Sequence, residues 1–178
     1  MSLFLILLAA GDSTRLKSST PKPFHKINNK TLIEHSIDSF KSFNEIKKKL
    51  IVYNKKHTKH LNKLNLKNII KVKGGKSRQE SVFNALKKIS RMNCKKVLIH
   101  DVARPNPSKI LIKNLFKKLK VSDAVIPVIK NYDATKRVHG NHIFKNIQRN
   151  NLRFAQTPQG FAYKKIYGKH KENMNSFF

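Results

Sequence analysis

The chain has 178 residues, 39% hydrophobic and 8% aromatic, which suits one domain able to bury a core without disulfide or metal staples. Its formal net charge is +30, from 39 Lys and Arg against 9 Asp and Glu. The lone Cys94 excludes a disulfide framework and a thiolate metal cluster, and no segment is long enough to span a bilayer, so a reducing cytoplasm is the natural setting.

An excess of this size normally points to nucleic acid, an anionic membrane or anionic ligands. Only seven of the 39 cations are Arg, however, and the Lys residues are dispersed from Lys17 to Lys171. Lys, Asn and Ile are abundant together, which reads as a background bias in composition more than as a dedicated polyanion surface. A basic nucleic-acid-binding module would cluster Arg with exposed aromatics, and the sequence shows no such clustering.

In chain order, apolar runs alternate with helical patterns, the signature of a parallel sheet covered by helices. The predicted strands are Leu3–Leu8, Lys49–Tyr53, Asn68–Val72, Lys96–His100 and Ala124–Val128. The apolar opening has no basic residue before it, so it reads as a buried first strand and not a signal peptide. A first helix begins at Thr31, where Thr31 and Glu34 form a capping box ahead of Leu32, Ile33, Ile37 and Phe40. A Lys-rich helix around Lys55–Leu64 should lie on the surface, with His57 and His60 facing solvent. A further helix has Ser77 as cap and Glu80 reaching back, with Val82, Ala85, Leu86 and Ile89 on its buried side. Ser108 caps another, carrying Ile112, Leu115 and Leu119. Residues 130–150 break the rhythm: Arg137–His139, the turn Gly140-Asn141 and His142–Phe144 read as a β-hairpin, an arm that reaches toward a partner. His139 and His142 on it should be solvent-facing.

Four constellations carry chemistry. The first strand ends in the small-residue turn Ala9-Ala10-Gly11, followed by a loop with Arg15 and with Lys22 between Pro21 and Pro23. Free backbone N–H groups and fixed cations there make an anion site. Gly74-Gly75 next precedes a helix start, where the backbone can approach a ligand and the helix end attracts negative charge; Ser81, one turn in, can hydrogen-bond a base or ribose. Third is His100-Asp101-Val102-Ala103-Arg104-Pro105, at the carboxyl end of a strand, where open α/β sheets bind ligands. Asp101 and Arg104 could hold a hydroxyl and a phosphate, Asp101 could help position Mg²⁺, or the two could form a structural pair. The last is Asp133–Arg137 with Arg149 and Gln156–Phe161, a polar run that gains meaning beside the others.

Together the motifs AAG…TRL…PKPF, GG..RQESV, HDVARP, DATKRV and QTPQGF resemble those of the 2-C-methyl-D-erythritol 4-phosphate cytidylyltransferases of the non-mevalonate isoprenoid pathway, from Leu5 to about Tyr163. The resemblance implies a Rossmann-like three-layer α/β/α nucleotidyltransferase fold over residues 1–178, with residues 130–150 as a dimerisation arm. It implies transfer of CMP from CTP to 2-C-methyl-D-erythritol 4-phosphate, with Mg²⁺ held mainly by triphosphate oxygens and water. By position, Arg15 and Lys22 match transition-state stabilisers on the triphosphate, and Ala10, Gly11, Gly75 and Ser81 match residues that hold the cytidine. Asp101 and Arg104 match binders of the methylerythritol phosphate. Thr135 and Arg149 match arm residues that complete the partner subunit's site in a homodimer.

The chain departs from the family pattern at Ser13, where a second loop glycine is usual, at Val102, where Ala is common, and at Gln148, where an acidic residue is frequent. It stops at Phe178, before the family's acidic TDD-like motif, last strand and acceptor-gripping lysine, and so reads as a C-terminally truncated or partial chain. A ribitol-5-phosphate cytidylyltransferase, which shares the fold and several motifs, is the alternative within enzymes. HDVARP, RQESV and QTPQGF together favour methylerythritol phosphate.

Overall fold

The computed structural model describes residues 2–11, 16 and 18–175, apart from the side chains of residues 174 and 175. It opens with β1 (Leu3–Ala9), whose continuous apolar run LFLILLA is buried on both faces, as a central parallel strand requires. A 3₁₀ turn, Lys22–Phe24, leads to a small hairpin of β2 (Lys26–Ile27) and β3 (Lys30–Thr31). Asn28 and Asn29 make its tip with φ of 47° and 63°, values that Asn tolerates better than most residues. That hairpin is additional to the predicted elements.

The helix α1 (Leu32–Ser39) begins as predicted. Glu34 N–H donates to Thr31 Oγ1 at 3.3 Å and Thr31 N–H donates to Glu34 Oε2 at 2.7 Å, closing the capping box. β4 (Ile46–Tyr53) starts three residues before the predicted strand, and a 3₁₀ turn (Lys55–His57) and α2 (Thr58–Asn62) stand in place of one Lys-rich helix. Next come β5 (Ile69–Lys73), α3 (Arg78–Lys88), β6 (Lys96–Asp101), α4 (Lys109–Leu119), β7 (Ala124–Val125), β8 (Val128–Lys130), β9 (Thr135–His139), β10 (His142–Ile147), β11 (Arg153–Ala155), β12 (Gln159–Ala162) and α5 (Tyr163–Asn175).

The main sheet has the order β5-β4-β1-β6-β12-β7. Its first four strands are parallel, while β12 runs antiparallel to both β6 and β7. The expected purely parallel sheet is therefore mixed, because Gln159–Ala162, which lacks a strand-like apolar run, is inserted between two predicted strands. Helices cover both faces, giving the three layers. Leu3, Leu5 and Leu7 pack on one side with Ile33, Leu61, Ile112 and Leu119; Phe4 and Ile6 pack on the other with Val82, Leu86 and Tyr163.

The arm is broader than residues 130–150. β9 and β10 form the predicted hairpin, turning at Gly140, whose φ of +55° is the left-handed value a primed turn needs at its first position. Below it, β8 pairs antiparallel with β11, so the arm's base spans 128–155. The predicted strand Ala124–Val128 is consequently split, with Val125 in the main sheet and Val128 in the arm. Pro127 lies at the break, where it has no N–H to donate.

Candidate functional site

All four parallel strands deliver their carboxyl ends to one cleft of about 1000 Å³. Ala10 and Gly11 follow β1, Asn54 follows β4, Gly75 follows β5, and Asp101 ends β6. Lys22 reaches the same cleft from the 3₁₀ turn that Pro21 and Pro23 bracket, with Pro preset for the first turn position. The structure thus brings together Ala10, Gly11, Lys22, Gly75, Ser81, Asp101 and Arg104. Arg15 and Ser13 lie outside the described residues.

The backbone at this end is built for close approach. A methyl group at Gly74 would lie 2.6 Å from the Ala10 Cβ and 3.0 Å from Ser81 Oγ, so the two turns touch because Gly74 has no side chain. Nothing lies within 4 Å of the Cβ position at Gly11, which leaves open space above its backbone. Gly75 N–H donates to the buried Ser81 Oγ at 3.0 Å, leaving the Ser81 O–H able to donate to a base or ribose. Ser77 caps α3, accepting from Glu80 N–H at 3.0 Å. Glu80 reaches back one residue further than a capping box would, to Lys76 N–H at 2.7 Å.

The third constellation behaves differently from its sequence reading. Asp101 is not paired with Arg104. Its Oδ1 accepts from Arg78 Nε at 3.2 Å and Nη2 at 3.1 Å, while Arg104 Nη1 donates to Gln156 Oε1. The backbone N–H of Asp101 donates to Thr157 Oγ1 at 3.3 Å, and that hydroxyl lies 3.0 Å from Nδ1 of His100, which is fully buried. Burial pushes the His100 imidazole down to about 4, against a smaller opposing effect of the Asp101 charge. The neutral His100 imidazole and the Thr157 hydroxyl share one hydrogen bond at Nδ1, and the ring packs against Phe40 at 5.2 Å. Consecutive residues of the QTPQGF motif, Gln156 and Thr157, thus hold Arg104 and Asp101. Arg78, Asn54 and Lys56 also line the cleft and had no role on sequence grounds. Residues that follow a strand end, as Asn54 does, were the available signal.

Thr135 and Arg149 are not among the residues lining this cleft. Thr135 Oγ1 accepts from Asn131 Nδ2 at 2.6 Å, and Arg149 Nη1 donates to the Tyr132 carbonyl at 2.8 Å, so both are fixed at the base of the arm. His57 and His60 are partly buried and not solvent-facing, because Phe24 packs on them with ring centroids 6.1 and 5.2 Å away. His139 and His142 are exposed, as expected. The described residues contain no group of three or more His, Cys, Asp or Glu able to hold a metal ion, and none of their helices is long and apolar enough to cross a membrane.

Comparison with known proteins gives a consistent result. The family model of 2-C-methyl-D-erythritol 4-phosphate cytidylyltransferase (IspD) matches residues 3–177. A bifunctional enzyme IspD/IspF of Pelagibacter ubique is 47% identical over 167 residues, covering 94% of this chain and 45% of the relative. A 2-C-methyl-D-erythritol 4-phosphate cytidylyltransferase of Wigglesworthia glossinidia brevipalpis is 42% identical, over 91% of this chain and 71% of its own length. The crystal structure of the Francisella tularensis enzyme of that name superposes with a TM-score of 0.80 at 28% identity, covering 100% of this chain and 82% of that one. The chain thus spans under half of the first relative and about seven tenths of the second.

Proposed function

The chain belongs to the 2-C-methyl-D-erythritol 4-phosphate cytidylyltransferase family, and we propose that it transfers CMP from CTP to 2-C-methyl-D-erythritol 4-phosphate, releasing pyrophosphate. The observation that carries this reading is the convergence of Gly11, Lys22, Ser81 and Asp101 on one cleft at the carboxyl ends of β1, β4, β5 and β6.

A phosphate monoester is largely dianionic near neutral pH, its second pKa being ~6. An oxygen of the acceptor phosphate attacks the α-phosphorus of CTP, the new P–O bond forms, and the bond to the β-phosphate oxygen breaks with its electron pair leaving on pyrophosphate. No proton has to be abstracted, so no base is required. The barrier lies in bringing anions together and in charge growing on the α-phosphoryl oxygens and leaving group. Lys22, with Arg15, opposes that charge. Backbone at Ala10, Gly11 and Gly75 and the Ser81 hydroxyl hold the cytidine, and Asp101 and Arg104 hold the polyol phosphate.

Bound Mg²⁺ would supply further charge neutralisation on the triphosphate. The donor set fits an ion held by triphosphate oxygens and water, because Asp101, the one carboxylate among the described cleft residues, is already bonded to Arg78. The same reading makes the protein a homodimer through the arm, with Thr135 and Arg149 entering the partner's cleft. The exposed apolar residues Val138, Ile143 and Phe144, 61–71% accessible, support it. A cytoplasmic setting is supported by the lone thiol Cys94, which is buried and pushed up to about 12, hence inert.

The test is pyrophosphate release from CTP with each acceptor in turn. Turnover with methylerythritol phosphate, and little with ribitol 5-phosphate, is the expected result. Preference for ribitol 5-phosphate would replace the acceptor, and no turnover with either would remove the reading.

A further inference from the structure

Arg78 occupies the first position of α3, and its guanidinium bridges the cleft to the end of β6. Both of its bonds, from Nε and Nη2, fall on the same oxygen of Asp101, Oδ1. The other oxygen, Oδ2, accepts no hydrogen bond from the described residues. With the Asp101 backbone N–H fixed on Thr157 and Oδ1 held by Arg78, the carboxylate keeps one acceptor, Oδ2, that takes no bond from the described residues.

Two physical consequences follow. An ionised carboxylate only accepts, so a lone oriented oxygen recognises a hydroxyl and disfavours a phosphate. The charge of Asp101 would also repel both anionic substrates if it stood alone. Arg78 masks it. A planar guanidinium does both tasks, since its fork fixes the rotation of the carboxylate, whereas an ammonium supplies charge without orientation.

We propose that Arg78 is a positioning and specificity residue, clamping Asp101 by Oδ1 so that Oδ2 accepts one hydroxyl of a polyol phosphate acceptor. This rests on the assignment of Asp101 to the acceptor made above. Arg78 acts through Asp101, so its loss should matter only while Asp101 is present.

Steady-state kinetics varying each substrate separately, on wild type, Arg78→Ala, Arg78→Lys, Asp101→Asn and the Ala/Asn double variant, test this. Arg78→Ala should raise the acceptor KM by about tenfold or more, with the CTP KM changed less than about threefold. Arg78→Lys should recover only part of that loss. In the Asp101→Asn background, removing Arg78 should change the acceptor KM by less than about twofold. Equal rises in both KM values, or effects that multiply in the double variant, would overturn the proposal by making Arg78 a direct substrate contact. Its side chain is half exposed, and thermal midpoints near wild type confirm folding; should Arg78→Ala fail to fold, Arg78→Gln completes the same cycle. A wild-type chain silent with either polyol phosphate refutes the functional reading and this inference together, whereas an active wild type with multiplying effects refutes the inference alone.

Discussion

Lys22, which lines the cleft, and Gly74, which lies beside it, are constrained in different ways. Lys22 is exposed on a short turn, outside the hydrophobic core. Lys22→Ala should lower kcat by at least about tenfold, ~1.4 kcal/mol, at unchanged thermal stability, and a smaller loss in a pyrophosphate-release assay removes its assigned role. Gly74 faces the opposite constraint, because its missing Cβ is the space that Ala10 fills at 2.6 Å. Gly74→Ala should therefore cost about 1–3 kcal/mol in denaturant unfolding and raise the CTP KM, since the two turns cannot separate without moving the nucleotide site. The doublet Gly74-Gly75 was legible in the sequence as a place of close approach. A Cβ at Gly75 would meet only the side chain of nearby Glu80, at 2.2 Å, whereas the contact of Gly74 with Ala10 was not legible, since it depends on a turn more than 60 residues away in the chain. Arg78 escaped for the same reason. Its partner Asp101 is 23 residues distant, and only the parallel pairing of strands sets them side by side.

At the scale of elements, capping and burial patterns carried well wherever local chemistry decides. Thr31, Ser77 and Ser108 cap their helices as predicted, and β1 reads as a doubly buried strand from its apolar run alone. Prediction failed at β12 and the arm's base. β12 carries Gln159 and Gly160, which have no strand signature, and is held in the sheet by pairing with β6 and β7. In the arm, Phe144 sits at a register shift between Ile143 and Lys145 and is 71% exposed, while Val138 opposite Ile143 is 61% exposed. An exposed apolar ribbon of this kind needs a cover. On the proposed arm-mediated dimer, replacing Val138 and Ile143 together by Lys should give a monomer in sedimentation and, by removing the partner contact proposed for Thr135 and Arg149, abolish most turnover. A double variant that remains dimeric, or wild type that sediments as a monomer, counts against the arm as the interface.

Across the whole molecule, His100 ties stability to pH. Its imidazole is pushed by burial to about 4 in the folded protein, against ~6.5 in the unfolded chain. The folded state therefore disfavours the proton. The stabilisation is complete above pH ~6.5 and lost progressively as pH falls toward ~4, on the order of 3 kcal/mol in full. His170, also lowered by burial and then by the charge of Arg78, acts in the same direction. Thermal midpoints should fall between pH 7 and pH 4.5, and His100→Asn, which keeps an acceptor for Thr157, should flatten that fall; an unchanged slope would assign it to other groups. The charge of +30 gave no comparable guidance, because dispersed Lys marks composition before it marks a partner. By itself the sequence determined the layered α/β class, the helix starts, the buried central strand and most cleft residues, since capping, periodicity and small-residue turns are local chemistry. The tertiary structure alone decided that Asp101 pairs with Arg78 and not Arg104, that Gln156 and Thr157 brace the cleft, and that β12 joins the sheet. Those contacts arise from strand order and register, which bring distant segments together and leave no periodic trace in the chain.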